Sequence, residues 1–408
     1  MHNKVHIKPK SVLHGTAKHL PASKSISNRA LIINALAGGT SVIHNLSEAN
    51  DTQLMLRLVR SSEPVIDVED AGTTMRFLTA YFAVTGQKKT LTGTSRMQER
   101  PIGILVDALR SLGATIRYQK KEGYPPLALE GFEGQQNNHL RIRGDISSQF
   151  ISAVMMIAPA LPEGLTIELT GKIGSRPYIE MTLALMKEFG ADCSFADTLI
   201  RVEPKPYTPA ELFVESDWSG ASYWFAFAAL AGDADITLPH LFADSWQGDQ
   251  AIQEIMNTLG VQARMENGHL HLTKKEAAKE LRWDFTHCPD LAQTVAVVCA
   301  ANGITGHFTG LESLRIKETD RIAALQNELG KIGANLLEAD YTWTLQPSAS
   351  LPSAATFQTY KDHRMAMAFA PLATRMEVTL ENPAVVRKSY PSYWKDLEGI
   401  GFALTYEG

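Results

Sequence analysis

Seven basic residues lie at or near positions where the sequence predicts helix N-termini, which is an unusual place for a cation. They are Lys24, Arg29, Arg76, Arg100, Arg321, Arg364 and Lys388. Arg100 precedes Pro101, a favoured first helical residue, and Lys388 precedes a helix start suggested by Ser389 and Pro391. The helix macrodipole makes an N-terminus partly positive, so a cation there costs roughly 0.3–1 kcal/mol. The pattern is reasonable if these cations and the free N–H groups of the helix ends converge on anions. The residues therefore predict a binding site for a small molecule that carries several negative charges.

Each motif also has a simpler structural interpretation when it is taken alone. A single arginine beside a helix start is more often a surface or ion-paired side chain than a ligand contact. The segment SKSISNR allows a serine-capped helix entry, SSQF a double-serine cap, and KETDR a charge run capped by Thr319 or Asp320. His363 in the segment DHR resembles a metal or catalytic residue but is equally compatible with a structural histidine. From residue types and spacing alone, we infer only an α/β protein that binds a multiply anionic small molecule.

Composition is that of an ordinary globular protein of 408 residues, long enough for two domains. The formal net charge of −5 does not favour a nucleic acid or an anionic membrane as partner. Cys193, Cys288 and Cys299 lack metal-site spacing, and three sparse cysteines fit a reducing compartment. The N-terminal residues lack a secretory apolar core, and no apolar run approaches the ~20 residues of a membrane span. We therefore expect a cytoplasmic protein.

An internal repeat organises the chain. Five helical segments end in similar glycine-containing patterns, ALRSLGATI, LMKEFGADC, IMNTLGVQA, ELGKIGANL and DLEGIGFAL. Their glycines are Gly113, Gly190, Gly260, Gly333 and Gly401. Each follows apolar residues at helical spacing, which predicts a left-handed helix C-cap followed by a strand.

A second kind of helix alternates with the first. Six segments begin with polar or glycine residues and then become almost entirely apolar, which is typical of buried helices: SKSISNRALIINALAGG, DAGTTMRFLTAYFAVTG, SSQFISAVMMIAPAL, SDWSGASYWFAFAALAG, PDLAQTVAVVCAANG and KDHRMAMAFAPLAT. The two kinds together predict six units of about 70 residues, each with one buried and one amphipathic helix and intervening strands.

Nine segments of the chain occur in an order that resembles one known family. They are LPASKSISNRA, DAGTTMR, RMQERPIGILVDALR, GDISSQF, SRPYIEMT, SDWSGASY, PDLAQT, RIKETDR and YKDHRMAMAFA. Together they cover nearly the whole chain and closely resemble the 5-enolpyruvylshikimate-3-phosphate synthase family of enolpyruvyl transferases. No single segment is decisive, but the ordered set is specific.

This resemblance implies an α/β fold of two similar domains, each of three βαβαββ repeats, in the inside-out α/β barrel arrangement of enolpyruvyl transferases. One domain is expected to span residues 22–214, and the other residues 215–408 together with 1–21. The active site is expected in the interdomain cleft. The number of repeats agrees with the six units found from the sequence pattern.

The resemblance also implies two substrates. Positions that match shikimate 3-phosphate contacts in the family are Lys24, Ser25, Arg29, Ser147, Ser148, Gln149, Ser175, Tyr178, Asp290 and Lys317. Positions that match phosphoenolpyruvate contacts are Lys24, Gly72, Arg100, Gln149, Arg321, Arg364 and Lys388. Asp290, Glu318 and Lys24 match the catalytic residues. Glyphosate, which inhibits the phosphoenolpyruvate site in this family, is expected to act at the same positions.

The implied reaction is transfer of the enolpyruvyl group to the 5-hydroxyl of shikimate 3-phosphate through a tetrahedral ketal. It requires no metal and no cofactor, and we expect the protein to be a monomer. Two alternatives remain at this point. One is the related UDP-N-acetylglucosamine enolpyruvyl transferase, which usually carries a reactive cysteine that the segment TGTSRMQERPIG lacks. The other is a noncatalytic phosphosugar-binding protein built on the same repeats.

Overall fold

The computed structural model describes residues 2–145 and 147–408. These residues divide into two compact units. One unit is Ser23–Val214, and the other combines residues 2–22 with Glu215–Gly408. We call them the central unit and the outer unit, according to their positions in the sequence. Each is a mixed α/β structure with its own sheets.

The thirteen α-helices are α1 (Lys24–Leu36), α2 (Asn50–Leu58), α3 (Gly72–Val84), α4 (Ser95–Gln98), α5 (Gly103–Ser111), α6 (Ser148–Ile157), α7 (Arg176–Glu188), α8 (Trp218–Leu230), α9 (Ile252–Thr258), α10 (Ala292–Asn302), α11 (Arg321–Gly330), α12 (His363–Phe369) and α13 (Tyr393–Gly399), within the described residues.

The strands in the same ranges are β1 (Lys4–Ile7), β2 (Val12–Thr16), β3 (Val42–His44), β4 (Val65–Asp67), β5 (Lys89–Thr92), β6 (Ala114–Tyr118), β7 (Leu127–Phe132), β8 (His139–Arg143), β9 (Leu165–Thr170), β10 (Cys193–Ala196), β11 (Leu199–Val202), β12 (Glu211–Phe213), β13 (Asp233–Pro239), β14 (Val261–Glu266), β15 (His269–Lys274), β16 (Glu280–Asp284), β17 (Thr305–Thr309), β18 (Asn335–Ala339), β19 (Thr342–Gln346), β20 (Ala354–Phe357), β21 (Glu377–Glu381) and β22 (Leu404–Glu407).

Five four-stranded sheets share one topology. In β4-β5-β7-β6, the first two strands are parallel and the last two add as an antiparallel hairpin. The sheets β8-β9-β11-β10 and β16-β17-β19-β18 repeat this order. A parallel pair needs a crossover, and a helix supplies it in each case, α3, α6 and α10 respectively. This is the βαβαββ unit that the family resemblance implied.

The N-terminal strands complete two sheets of the outer unit. Strand β2 is parallel to β13, and β1 lies antiparallel between β21 and β22. Val5 and Ile7 of β1 and Leu13 of β2 are fully buried. The two N-terminal strands therefore belong to the core of the outer unit, which also contains the C-terminal residues.

The repeat that contains α1 and α2 has a smaller sheet than the others. Within the described residues, β3 and β12 are the only strands that pair there, and they are parallel. After α2 the chain runs through residues 59–64 directly into β4, and no hairpin follows. This repeat also lacks the glycine-containing pattern that ends the other amphipathic helices, since α2 is followed by Val59 and Arg60.

The predicted helix C-caps are confirmed at all five glycines. Gly113, Gly190, Gly260, Gly333 and Gly401 have φ between 77° and 111°. Each lies after an amphipathic helix and shortly before a strand. A left-handed φ is strained for residues with a Cβ, so glycine lets the chain reverse there.

The six predicted buried helices also form, as α1, α3, α6, α8, α10 and α12. In α8, every residue but Ser219 is buried, and in α12 all seven are. Two expected helix starts were wrong. Helix α5 begins at Gly103 and not at Pro101, and α13 begins at Tyr393, beyond Ser389 and Pro391. Lys388 instead ends a short 3₁₀ helix, Pro383–Lys388.

No helix in the described part of the chain is both long and apolar enough to cross a membrane. Among the same residues, no group of three or more histidine, cysteine or acidic side chains could hold a metal ion.

Candidate active site

Arg321 is the centre of a cluster of charges in the outer unit. It is the first residue of α11, and its side chain is 2% exposed. Nη1 donates to Asp290 Oδ1 at 2.9 Å, and Nη2 donates to Glu318 Oε2 at 2.9 Å. Nε donates to Asp362 Oδ2 at 2.7 Å. One guanidinium thus holds the two predicted catalytic carboxylates, Asp290 and Glu318, on neighbouring nitrogens.

Arg364 is the second basic residue of this cluster. Asp362 caps α12 by accepting from the Arg364 backbone N–H at 2.9 Å, which orients the first turn. Arg364 Nη2 then donates to Asp290 Oδ2 at 2.9 Å. Nη1 lies 3.4 Å from the hydroxyl of Tyr223 in α8. Asp290 is therefore bound by two guanidinium groups, one on each oxygen.

Two lysines complete the cluster. Lys317 Nζ lies 3.8 Å from Asp290 Oδ1, and Lys388 Nζ lies 3.2 Å from Glu318 Oε1. The side chains of Asp290 and Glu318 are 16% and 17% exposed, so solvent-borne molecules can reach them. The fold thus brings together Asp290, Lys317, Glu318, Arg321, Arg364 and Lys388, all of which the sequence predicted as site residues.

The cations change the proton affinities of the cluster. Burial alone would raise the pKa of Asp290, but Arg364, Lys317 and Arg321 outweigh it and hold that pKa well below the usual range. Burial lowers the pKa of Lys317, while Asp290 opposes the change. Burial would also lower the pKa of Arg321, but Asp362, Glu318 and Asp290 raise it overall. Asp290 is consequently an anion at neutral pH.

Lys24 marks a second group of predicted residues, in the central unit. It is the first residue of α1, which the Ser23 hydroxyl caps by accepting from the Ile26 N–H. Lys24 Nζ lies 3.1 Å from Asp51 Oδ2 of α2, and its side chain is 18% exposed. Ser25 follows in the first turn and is partly exposed. The cation at this helix start is therefore compensated by a carboxylate from the next helix.

Arg29 is 2% exposed and lies inside the central unit. Nε donates to Thr182 Oγ1 at 2.7 Å, and Nη2 donates to Ser152 Oγ at 3.0 Å. The guanidinium also lies 5.3 Å from the ring centre of Phe77. Burial lowers the pKa of Arg29 to about 10. The structure therefore places Arg29 as a link between α1, α6 and α7, and its contact with a ligand stays a prediction.

Gly72 allows two arginines to approach the start of α3. A Cβ built on Gly72 would lie 2.5 Å from Arg76 Nη1 and 2.7 Å from Arg100 Nη1. Arg76 Nη1 donates to the Gly72 carbonyl at 2.9 Å. Arg100 forms no salt bridge within residues 2–145 and 147–408, and its Nε has no hydrogen-bond partner there. Arg100 is thus a partly buried cation that has no compensating carboxylate among the described residues.

The remaining predicted residues lie on α6 and α7 of the same unit. Ser147 precedes α6, Ser148 begins it, and Gln149 Nε2 donates to Thr73 Oγ1 of α3 at 3.0 Å. Ser147 does not cap α6 with its side chain. Ser175 precedes α7 with a left-handed φ of 51°. The centre of the Tyr178 ring lies 5.7 Å from the Arg29 guanidinium carbon. Helices α1, α3 and α6 pack on one another, so these residues share one region of the unit.

Sequence reasoning missed several partners of the predicted residues. Asp51 and Asp362 pair with Lys24 and Arg321, and Ser219 and Asp249 lie beside Arg364. Asp362 was visible as the cap residue before a predicted helix, but nothing in its motif indicates an ion pair with a residue 41 positions away. Asp249 lies in the segment WQGDQ, outside the motifs from which the site residues were predicted.

The two groups of side chains can do complementary chemistry. The central unit offers Lys24, Arg100 and helix N-termini without side-chain caps, which suit a phosphate or carboxylate. The outer unit offers two carboxylates that can exchange protons, surrounded by four cations that can stabilise developing negative charge.

Comparison with solved structures identifies the fold. An EPSP synthase structure from Acinetobacter baumannii superimposes with a TM-score of 0.79, covering 100% of both chains at 20% sequence identity. The fold is therefore that of EPSP synthase.

Comparison of sequences is more specific. The family model EPSP synthase (3-phosphoshikimate 1-carboxyvinyltransferase) matches residues 7–63 and 60–397. A 3-phosphoshikimate 1-carboxyvinyltransferase of Bacteroides fragilis is 49% identical over 391 residues, which cover 94% of this chain and 95% of the relative. One from a Sulfurovum species is 37% identical, covering 98% of this chain and 99% of the relative. The chain belongs to the EPSP synthase family, and the resemblance found from its motifs is confirmed.

Proposed function

We propose that this protein transfers the enolpyruvyl group of phosphoenolpyruvate to the 5-hydroxyl of shikimate 3-phosphate, as 3-phosphoshikimate 1-carboxyvinyltransferase. The products are 5-enolpyruvylshikimate 3-phosphate and inorganic phosphate. The family membership supports this reaction over the UDP-N-acetylglucosamine alternative. The observation that carries the proposal is the placement of Asp290 and Glu318 on neighbouring nitrogens of Arg321, with Lys317, Arg364 and Lys388 around them.

In the first step, the 5-hydroxyl oxygen attacks C2 of phosphoenolpyruvate. Asp290 accepts the hydroxyl proton, and Glu318, which enters this step in its protonated form, delivers that proton to C3, so that the methylene becomes a methyl group and C2 becomes a tetrahedral ketal. Asp290 is ionised, as a base must be, but two guanidiniums make it a weak one. The carboxylate of phosphoenolpyruvate, by taking over Arg364, would make Asp290 more basic when the substrate is present.

In the second step, the C2–O bond to phosphate breaks and C3 returns one proton, which restores the double bond in the product. Lys24 and Arg100 stabilise the departing phosphate, and Arg321, Arg364 and Lys388 stabilise the carboxylate. Ser25, Arg29, Ser147, Ser148, Gln149, Ser175, Tyr178 and Lys317 hold shikimate 3-phosphate. Gly72 and Gln149 contribute to the phosphoenolpyruvate site.

The test is turnover by the purified protein with shikimate 3-phosphate and phosphoenolpyruvate. We expect one inorganic phosphate released for each shikimate 3-phosphate that gains the mass of an enolpyruvyl group. A parallel reaction replaces shikimate 3-phosphate with UDP-N-acetylglucosamine. Turnover only in the parallel reaction, or in neither, would contradict the proposal.

We also propose that the protein acts as a monomer in the cytoplasm. The three cysteines are free thiols, as expected in a reducing compartment. Each of the two units has buried apolar residues of its own, so neither needs a second copy of the chain to form a core. Sedimentation equilibrium should give a mass near 44.8 kDa, and a concentration-dependent larger mass would contradict the monomer.

A further inference from the structure

Asp249 is a buried carboxyl group beside the charge cluster of the outer unit. It lies in the 3₁₀ helix Gly248–Ala251, just before α9, and is 3% exposed. The Ser219 hydroxyl in the first turn of α8 donates to Asp249 Oδ2. Oδ1 is buried and has no hydrogen-bond partner within residues 2–145 and 147–408. An unpartnered buried carboxyl oxygen is costly, and the fold alone gives no reason for it.

A short chain of contacts connects Asp249 to the proposed catalytic base. Ser219 Oγ lies 3.4 Å from Arg364 Nη2, and the same nitrogen donates to Asp290 Oδ2 at 2.9 Å. The Ser219 hydroxyl donates its hydrogen bond to Asp249, so the lone pairs of the Ser219 oxygen are available to the Arg364 guanidinium. Asp249 and Asp290 thus act on the same end of Arg364, the first through a hydroxyl and the second directly.

The surroundings of Asp249 make its charge sensitive to pH. Burial is the main cause that raises its pKa, to about 7, and Asp290 adds to the rise. Arg364 and the hydrogen bond from Ser219 oppose it, and Asp217 of the α8 N-cap contributes a further small rise. Cys288 also faces Asp249 but is a neutral thiol, because burial raises its pKa to about 12. Asp249 therefore gains or loses its charge in the neutral range.

We propose that Asp249, acting through Ser219, is a positioning residue that controls how strongly Arg364 is available to the carboxylate of phosphoenolpyruvate. In its neutral form Asp249 leaves Asp290 as the one carboxylate competing for that nitrogen of Arg364. In its anionic form it lowers the positive potential at the guanidinium and holds Arg364 through Ser219. Phosphoenolpyruvate then binds more weakly. The inference rests on the proposed function, and Asp249 itself exchanges no proton with the substrate.

The test compares the KM for phosphoenolpyruvate at pH 6 and pH 8 in the wild type and in Asp249→Asn, which stays neutral. The ionisation of phosphoenolpyruvate itself is common to both proteins, so it cancels in the ratio of their KM values. We expect the wild-type KM to match that of the variant at pH 6 and to exceed it roughly threefold to tenfold at pH 8, the effect of one charge acting at short range in a protein.

Three further variants separate positioning from structure. Asp249→Glu keeps the ionisable group and should retain the pH dependence of the KM. Ser219→Ala removes the hydroxyl that connects Asp249 to Arg364 and should reduce the pH dependence of the KM. Glu215→Gln is the matched control, because Glu215 is also 3% exposed and also accepts a hydrogen bond from a serine, Ser245, but lies outside the charge cluster. We expect this control to leave the KM ratio unchanged.

Equal KM values for the wild type and Asp249→Asn at both pH values would overturn the inference. A loss of thermal stability without a change in the KM ratio would do the same, since it indicates a structural role only. If the wild type shows no turnover at all, the proposed function fails instead. Calorimetric binding of pyruvate, which carries the carboxylate that Arg364 is proposed to bind, to the wild type and to Asp249→Asn at the same two pH values then decides the effect of Asp249 on Arg364, with the same expected direction and the same overturning result.

Discussion

Asp290 accepts a hydrogen bond from Arg321 at 2.9 Å, and the other terminal nitrogen of Arg321 donates to Glu318 at the same distance. The two carboxyl groups lie close together because the buried Arg321 guanidinium bridges them, while Arg364, Lys317 and Lys388 add further positive charge. The arrangement places the proposed base, Asp290, next to the proposed acid, Glu318. Substitution by asparagine or glutamine removes the acidic group of each with little change in side-chain volume.

Asp290→Asn should slow turnover by roughly 10²–10⁴-fold, because the amide cannot accept the hydroxyl proton. The KM values should change less than kcat, since the amide retains an oxygen that accepts from Arg321. Steady-state kinetics with both substrates will measure the two effects. A rate near that of the wild type would remove Asp290 from the proposed mechanism.

Reaction in heavy water tests the role of Glu318. A methyl group forms at C3 in the ketal, and its three hydrogens become equivalent by rotation, so solvent deuterium should enter the vinyl group of the product. Mass spectrometry should detect this deuterium with the wild type. Glu318→Gln should be slowed by roughly 10²–10⁴-fold, because the amide cannot deliver the proton.

The matched control for Glu318 is Glu312→Gln, an exposed glutamate in the adjoining 3₁₀ helix Glu312–Ile316. We expect it to react like the wild type. A wild-type product free of deuterium after full turnover would rule out protonation at C3.

Arg100→Ala should weaken phosphoenolpyruvate binding by roughly one to two decades, because a charge-assisted contact contributes about 1.5–3 kcal/mol. Shikimate 3-phosphate binding should change little. Arg96→Ala is the control, since Arg96 lies in the same segment but pairs with Glu99 at 3.2 Å on the surface. Equal weakening of both substrates by Arg100→Ala, measured by calorimetry, would contradict the assignment.

Gly72→Ala should raise the KM for phosphoenolpyruvate more than the KM for shikimate 3-phosphate. The added methyl group would lie 2.7 Å from Arg100 Nη1 and 2.5 Å from Arg76 Nη1, so both guanidiniums must shift. Gly330→Ala in α11 is the control, because nothing lies within 4 Å of its Cβ position. Kinetic constants unchanged by Gly72→Ala would show that Arg100 moves without consequence for binding.

The stability of the protein should fall in acid partly because of Asp290. Its folded-state pKa is below the value of about 3.9 for an unfolded aspartate, so its stabilising effect is present above that pH. The effect is lost as the pH falls through 3.9 toward the folded-state value. The difference in urea midpoint between the wild type and Asp290→Asn should therefore shrink from pH 6 to pH 3, and a constant difference would contradict this sign.

Local sequence determined the elements and their repetition. The five glycine C-caps and the six buried helices depend on contacts within a few residues, namely capping, helix period and backbone freedom at glycine. For the same reason the sequence placed Lys24 and Arg321 at or near helix starts, and the structure shows that each is the first residue of its helix. The boundaries of α5 and α13 were less certain because Pro101 and Pro391 permit a helix start but do not require one.

Only the tertiary structure decided which charges meet. Arg321 pairs with Asp362 across 41 residues and Arg364 with Asp290 across 74 residues, and no local pattern specifies either pair. The same holds for the enclosure of Arg29 and for the place of Asp249 beside Arg364. Burial and the distance between charges set the pKa of a carboxylate, and both are properties of packing between elements that lie far apart in the chain.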